Sequence, residues 1–174
     1  MSLDFERLIL PHLDAAYRLA VAMVRDEAAA QDIVQDSYLK AWRTWWRFIP
    51  GNEKAWLLTI VRRRALTWLK SMRRGDVAVE NDEELTAADQ AHLSQAADQE
   101  AAIIAGQSAT RVRQALASLA APLREVIVLK DFEDMAYKDI ARVLSVPVGT
   151  VMSRLARGRE TLRAILVKDG HGGV

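Results

Sequence analysis

The 174-residue chain contains no cysteine. That absence excludes disulfides, thiolate zinc sites and cysteine nucleophiles together. Its three histidines, His12, His92 and His171, lie far apart in sequence, so a histidine metal cluster is not expected. Glycine and proline are sparse, 8 and 4 in the whole chain, and strand signals are almost missing. No apolar run approaches the ~20 residues needed to span a bilayer, and the N-terminus lacks the basic-then-apolar pattern of an export signal. A soluble, cytoplasmic protein without membrane insertion is therefore expected. There is also no Gly-rich phosphate loop, nucleophile elbow or metal-ligand spacing, so neither an enzyme nor a bound cofactor is expected.

What is present is a chain that can fold, with 51% apolar and 27% charged residues. Its length suits one mid-sized domain or two small ones with a connector. The net charge of +1 hides a strong alternation along the sequence. Residues 1–36 hold three basic and seven acidic residues, and residues 37–75 hold ten basic residues against the single acid Glu53. Residues 76–110 then hold eight acids and no Lys or Arg, while residues 111–174 hold eleven basic and seven acidic residues. Two basic modules separated by an acidic segment favour a polyanionic partner, with nucleic acid first.

Helical periodicity predicts helices at about 4–25, 28–47, 54–74, 109–119, 123–131, 136–144 and 148–167. The segment 76–107 is rich in Ala, Asp, Glu and Gln and reads as a linker, with transient helix around 93–104. The expected fold class is all-α: two small helical domains, residues 1–75 and 110–174, joined by a flexible acidic linker at 76–109.

Near the C-terminus, Ile140, Val143 and Leu144 put an apolar stripe on one short helix. Ser145 to Gly149 forms a tight turn in which Pro147 interrupts the helix. Val151, Leu155, Gly158, Leu162 and Ile165 then mark one inward face of a longer basic helix. Thr150, Ser153, Arg154 and Arg157 fall on the opposite face. Two helices around a tight turn, the second presenting Arg and hydroxyls, suit a DNA major groove. An ordinary solvated helical hairpin is the bland alternative. Ile127 and Leu129 read as core.

In the N-terminal module, Leu57, Ile60, Val61, Ala65 and Trp68 share an apolar arc. Arg62, Arg63, Lys70, Arg73 and Arg74 share the opposite arc with Trp56, Thr59 and Thr67. Cations interleaved with aromatics hold unpaired nucleic acid: phosphates meet Arg and Lys while bases stack on rings. Arg64 falls on the apolar arc and is expected to snorkel or pair with an acid. The preceding loop, Trp45-Trp46-Arg47-Phe48-Ile49-Pro50-Gly51-Asn52-Glu53-Lys54, suits a pocket for one extruded base; the alternative is that Trp45 and Phe48 close the domain core, the reading favoured for Trp45 by its place on the apolar arc. On helix 28–47, Val34, Ser37, Tyr38, Ala41, Trp42 and Trp45 form the inner arc. The outer arc shows Asp32, Asp36, Leu39, Arg43 and Trp46, a candidate docking face for a basic protein partner, with an ordinary solvated face as the alternative.

In this order the segments resemble a bacterial RNA polymerase sigma factor of the extracytoplasmic-function (ECF) group. Asp32-Ile-Val-Gln-Asp-Ser-Tyr-Leu-Lys-Ala-Trp42 is similar to the family's region 2 core-binding helix. Trp56-Leu-Leu-Thr-Ile-Val-Arg62 resembles the start of its −10 recognition helix. Tyr137-Lys-Asp-Ile-Ala-Arg-Val-Leu144 and Val146-Pro-Val-Gly-Thr-Val-Met-Ser-Arg-Leu155 are similar to its region 4. The resemblance covers nearly the whole chain.

The resemblance implies a subunit with no chemistry of its own. Asp32, Gln35, Asp36, Leu39 and Arg43 would dock on the clamp helices of the core polymerase β′ subunit, and region 4 on the β flap. Thr150, Ser153, Arg154 and Arg157 would bind the −35 duplex. Trp46, Phe48, Asn52, Trp56, Arg62, Arg63, Thr67, Lys70, Arg73 and Arg74 would capture and melt the −10 element as single strand. The acidic linker would run through the polymerase cleft, and an anti-sigma factor is an implied partner. Ala29-Ala30-Gln31 stands where the family usually has an acidic run. Arg63, Thr67 and Met152 replace a frequent Asn, an Asp or Asn, and a usual Lys. These departures bear on the promoter read rather than on the class. The main rival is a self-sufficient dimeric regulator of a duplex operator, in which the acidic linker and Trp-rich module have no obvious role.

Overall fold

The computed structural model describes residues 2–75 and 101–171, and all regular structure among them is helical. The N-terminal domain consists of α1 (Ser2–Ile9), α2 (Leu13–Val24), α3 (Glu27–Thr44) and α4 (Glu53–Gly75). The single helix predicted over 4–25 is broken. Pro11 sits in a 3-10 turn, Leu10–His12, between α1 and α2, because proline has no N–H with which to continue an α-helix. Arg25 ends α2 in the left-handed conformation (φ 58°), its N–H bonded to the Val21 carbonyl at 2.8 Å. Asp26 then caps α3, accepting from the Ala29 N–H at 2.8 Å, which satisfies one otherwise orphaned donor.

Phe5, fully buried, centres this domain. Its ring meets Tyr38, Trp42 and Trp45 edge-on at centroid distances of 5.1, 5.0 and 5.2 Å, an arrangement the ring quadrupoles favour. Helix α4 buries Leu57, Val61 and Ala65 as expected, whereas Ile60 and Trp68 are only half-buried. Leu58, outside the predicted apolar arc, is fully buried. The reason is tertiary: α4 packs on α2 and α3 and also on a helix of the second domain, so more of its circumference is covered.

That second domain holds α5 (Ala101–Ala117), α6 (Ala121–Ile127), α7 (Tyr137–Leu144) and α8 (Val148–His171). Helix α5 begins eight residues before its predicted start, within the segment read as linker; residues 76–100 of that segment, including most of the expected transient helix, lie outside the described residues. Helix α6 starts with Pro122 in its first turn, where a missing N–H costs nothing, and it widens into a π turn at Val128–Phe132. Ser145 closes α7 in the left-handed conformation (φ 55°). The Pro147 carbonyl then accepts from the N–H groups of Thr150 and Val151, at 3.0 and 3.2 Å, to start α8. Val126, Ile127, Leu129, Ile140, Val143, Val151 and Leu155 form the core of this helix-turn-helix.

Gly158 lets α8 approach α6 closely, since a Cβ there would stand 2.9 Å from Ile127 Cδ1 and 3.4 Å from the Leu123 carbonyl. Gly158→Val should therefore destabilise the chain by about 1–3 kcal/mol, the usual cost of overpacking a core. Urea unfolding would measure the loss, and an unchanged midpoint would refute the close contact.

The two domains lie against each other: α4 packs on α7, α2 packs on α6, and one apolar cluster runs through both. Glu133, its side chain only 3% exposed, is bonded by Arg18 and paired with Lys54 at 3.0 Å. Lys54 also donates to the Glu133 carbonyl at 2.7 Å. Arg62 donates to Glu125 at 3.0 Å, and Arg124 donates to the Ala22 carbonyl at 2.6 Å. Burial, reinforced by Arg25, lowers the Arg124 pKa to about 10 against the pull of Glu125, so it stays charged at neutral pH. For Glu133, burial pushes the carboxyl up, but hydrogen bonds from Arg18 and Lys54 and their charges outweigh it and hold the pKa below normal. The contribution of that carboxylate is thus complete above its unfolded pKa of about 4.3 and is lost as pH falls through the lowered folded value.

Candidate nucleic-acid interface

Three surfaces carry the residues singled out in the sequence. The first is the outward side of α3. Asp32, Gln35, Asp36 and Arg43 are exposed there, and Leu39 keeps 44% of its surface open. Trp42, predicted on the inner arc, is 43% exposed although one edge meets Phe5. It extends the apolar strip of Leu39 toward Trp46, which is 73% exposed.

The second surface is an open groove of about 680 Å³ between α3 and α4. It is lined by Asp36, Leu39, Lys40, Arg43, Thr44, Arg47, Trp56, Ile60, Arg63 and Arg64. Arg64, predicted on the apolar arc, is exposed and pairs across the groove with Asp36. Among the described residues, no acid pairs with Lys40, Arg43, Arg47 or Arg63, so these four cations remain available to an anion. Lys40 and Arg47 were not among the predicted site residues. Their signal was present: residues 40, 43 and 47 are spaced three and four apart, which sets them on one helix face.

The rim of this groove is aromatic. Trp45 stacks on Phe48 at 4.6 Å with ring planes 13° apart, and Trp56 closes the group at 5.0 Å from Phe48 and 6.0 Å from Trp45. Phe48 and Trp56 are thus half-buried partners within one cluster. Trp46 points away from it, with the Arg47 guanidinium 4.9 Å over its ring. The Asn52 side chain accepts from the Ala55 N–H at 3.1 Å, which caps α4. Farther along α4, Thr67, Lys70, Arg73 and Arg74 are exposed. Arg62 stands apart from them because Glu125 of the second domain holds it.

An open cationic groove with one exposed indole beside it suits a single strand, whose phosphates and bases are met by different groups. Trp46→Ala should accordingly weaken binding of a single-stranded oligonucleotide by about 1–3 kcal/mol, the range for one stacked base. Fluorescence anisotropy would measure it, and a change below about twofold would remove stacking at this ring.

The third surface is the start of α8. Ser153 and Arg157 are exposed, whereas Thr150 and Arg154 are half-buried at the flank of the helix-turn-helix. Ser153 Oγ donates to the Thr150 carbonyl at 3.1 Å. Val148 and Met152, 42% and 52% exposed, lie on the same side. A Cβ at Gly149 would meet nothing within 4 Å, so the backbone there is open to close approach. Arg159 is committed to Asp131 through a two-pronged ion pair. The helix therefore offers cations, hydroxyls and two apolar tips together, the mixture a major groove accepts.

Residues 8–75 match the family model of sigma-70 region 2, and residues 109–162 match that of sigma-70 region 4. The chain is 33% identical over 163 residues to the RNA polymerase sigma-H factor of Pseudomonas aeruginosa, covering 91% of this chain and 83% of that protein. It is 29% identical to the ECF RNA polymerase sigma factor SigE of Mycolicibacterium smegmatis, covering 95% of this chain but only 62% of that longer protein. Among solved structures, the sigma factor RpoE bound to the anti-sigma factor NepR, from Bartonella quintana, aligns at a TM-score of 0.72 with 27% identity, over 94% of this chain and 96% of that one. CnrH in complex with the cytosolic domain of CnrY aligns at 0.67 with 25% identity, over 97% and 91%.

Proposed function

Because the chain belongs to the ECF group of RNA polymerase sigma factors, we propose that it binds core RNA polymerase and directs transcription initiation at a particular set of promoters. The outward face of α3, with Asp32, Gln35, Asp36, Leu39, Trp42 and Arg43, docks on the β′ clamp helices. The second domain docks on the β flap. Thr150, Ser153, Arg154 and Arg157 hold the −35 duplex, with Val148 and Met152 beside them. Lys40, Arg47 and Arg63 hold the phosphates of the unpaired −10 strand. Trp46 supplies the free ring, and Phe48, Trp56 and Asn52 shape the loop behind it. Thr67, Lys70, Arg73 and Arg74 extend the cationic track along α4. Arg62 joins that track once released from Glu125. An anti-sigma factor is the proposed regulator, a role supported by the anti-sigma factor NepR bound to the structurally similar RpoE. The site of action is the cytoplasm, with polymerase and DNA.

One observation carries this reading. The chain bears two separate cationic surfaces of different shape, a groove with an aromatic rim and a protruding helix, and they suit single strand and duplex respectively. Transcription in vitro with purified core polymerase and a genomic fragment library tests it. Discrete transcripts that depend on the chain are expected. Tight dimeric binding to a palindrome, with no transcripts in the presence of core, would overturn it.

A further inference from the structure

The outward side of α8 divides into two rows of different chemistry. At about 100° per residue, Val148 and Met152 fall in one row, and Ser153 and Arg157 in another. Between the rows run Gly149 and Ala156, both exposed and too small to stand up from the helix. A Cβ at Gly149 would meet nothing within 4 Å, so a ligand can approach the backbone there. Helical side chains lean toward the N-terminus, so Met152 covers the turn that carries Val148. The two form a raised apolar ridge in which Met152 is 52% and Val148 42% exposed. Arg159 continues that row toward the C-terminus, but its guanidinium is committed to Asp131.

This ridge has no N–H or O–H to offer. A thioether is a weak acceptor and an isopropyl group neither donates nor accepts. The ridge therefore has no hydrogen-bond code with which to read purine edges, whereas Ser153 and Arg157 do. Base edges in the major groove present donors, acceptors and one apolar group, the C5 methyl of thymine. Only that methyl gains from an apolar contact. A polar edge pressed against the ridge would lose its water without gaining a partner. Single exposed apolar residues are ordinary on a protein surface. Two in one row, at the start of the helix that faces duplex, make a pattern with one chemical match.

We propose that Met152, supported by Val148, reads the C5 methyl of a pyrimidine in the −35 element and so sets part of the promoter choice. The methyl itself is the ligand. Thymine is favoured over cytosine at that step, and 5-methylcytosine is accepted in its place. The proposal rests on α8 being the helix that enters the −35 groove. Within that groove the rows divide the work: Ser153 and Arg157 bond polar edges, and the Met152 ridge checks for one methyl. Burying a group of that size changes affinity about fourfold.

Randomised duplexes are first selected on the full chain in complex with core polymerase, and in parallel on the full chain alone. Each thymine of the selected −35 duplex is then replaced singly by uracil, which lacks only the methyl. One replacement should weaken binding about fourfold. That factor should hold as salt is raised, because no phosphate contact changes. At the same step 5-methylcytosine should bind better than cytosine by a similar factor. Met152→Ala should still bind duplex but lose both methyl effects. Met152→Lys should shift the selected base to guanine, whose O6 and N7 accept from an ammonium. Far-UV circular dichroism checks that each variant keeps its helices. Equal binding of thymine and uracil at every step would overturn the proposal, and so would methyl effects that persist in folded Met152→Ala. A thymine effect with no matching effect on cytosine would overturn the methyl as the ligand. Methyl effects seen with the chain alone, but no selection in complex with polymerase, would instead count against the sigma-factor reading. No selection by either form would overturn both.

Discussion

Replacing Arg154 and Arg157 together with alanine should weaken binding to a −35 duplex by about 2–6 kcal/mol, roughly 30-fold to 10⁴-fold. Each guanidinium that meets a guanine edge or a phosphate contributes about 1–3 kcal/mol. The two residues act from different settings. Arg157 is exposed and free to turn toward a ligand, whereas Arg154 is half-buried and has less freedom to move. Arg154→Ala alone is therefore expected to cost more discrimination between sequences, and Arg157→Ala more of the salt dependence. The inward residues Val151, Leu155 and Gly158 are untouched by either change, so the folded domain should persist. Gel-shift titration at two salt concentrations separates these terms. Equal affinity of the double variant and the parent would remove α8 as the reading helix.

Leu39→Asp should cost about 2–4 kcal/mol of binding to core polymerase, enough to lose the complex in a pull-down at micromolar concentration. Leu39 is the apolar centre of an exposed strip whose neighbours include Asp36, Arg43 and Trp42. An apolar anchor ringed by polar groups is the usual form of an interface hot spot. A carboxylate at that centre would replace the apolar anchor and would have to be desolvated on docking. Because Leu39 is already 44% exposed in the free chain, the substitution should scarcely alter thermal stability. Normal recovery of the complex would move the docking face elsewhere.

The helix-turn-helix was legible in the sequence because its signals are local. The apolar spacing over 140–165, Pro147 and the short turn fix the two helices with little help from elsewhere, and the matching interior is found at Ile140, Val143, Val151 and Leu155. Pro11 was equally visible as a residue, yet the apolar periodicity on both sides of it reads as one helix. Its break appears only in the 3-10 turn at Leu10–His12. The early start of α5 was hidden for a different reason. In its first turns Ile103 and Ile104 stand side by side among small and polar residues and are followed by Gly106, so they set no helical periodicity.

The fate of individual cations marks the boundary. Composition and spacing determined that this chain is helical, carries basic blocks either side of an acidic segment, and presents Arg and hydroxyls on the helix after Pro147. These follow from properties of near neighbours in the chain. Only the tertiary structure decided that Arg62 is held by Glu125, sixty-three residues away, and Arg64 by Asp36, twenty-eight residues away. It alone turned Phe48 and Trp56 inward while leaving Trp46 free, and it gathered Lys40 and Arg47 into the groove. A charge is available to a ligand only when no closer partner has taken it, and which partner is close depends on how the helices pack.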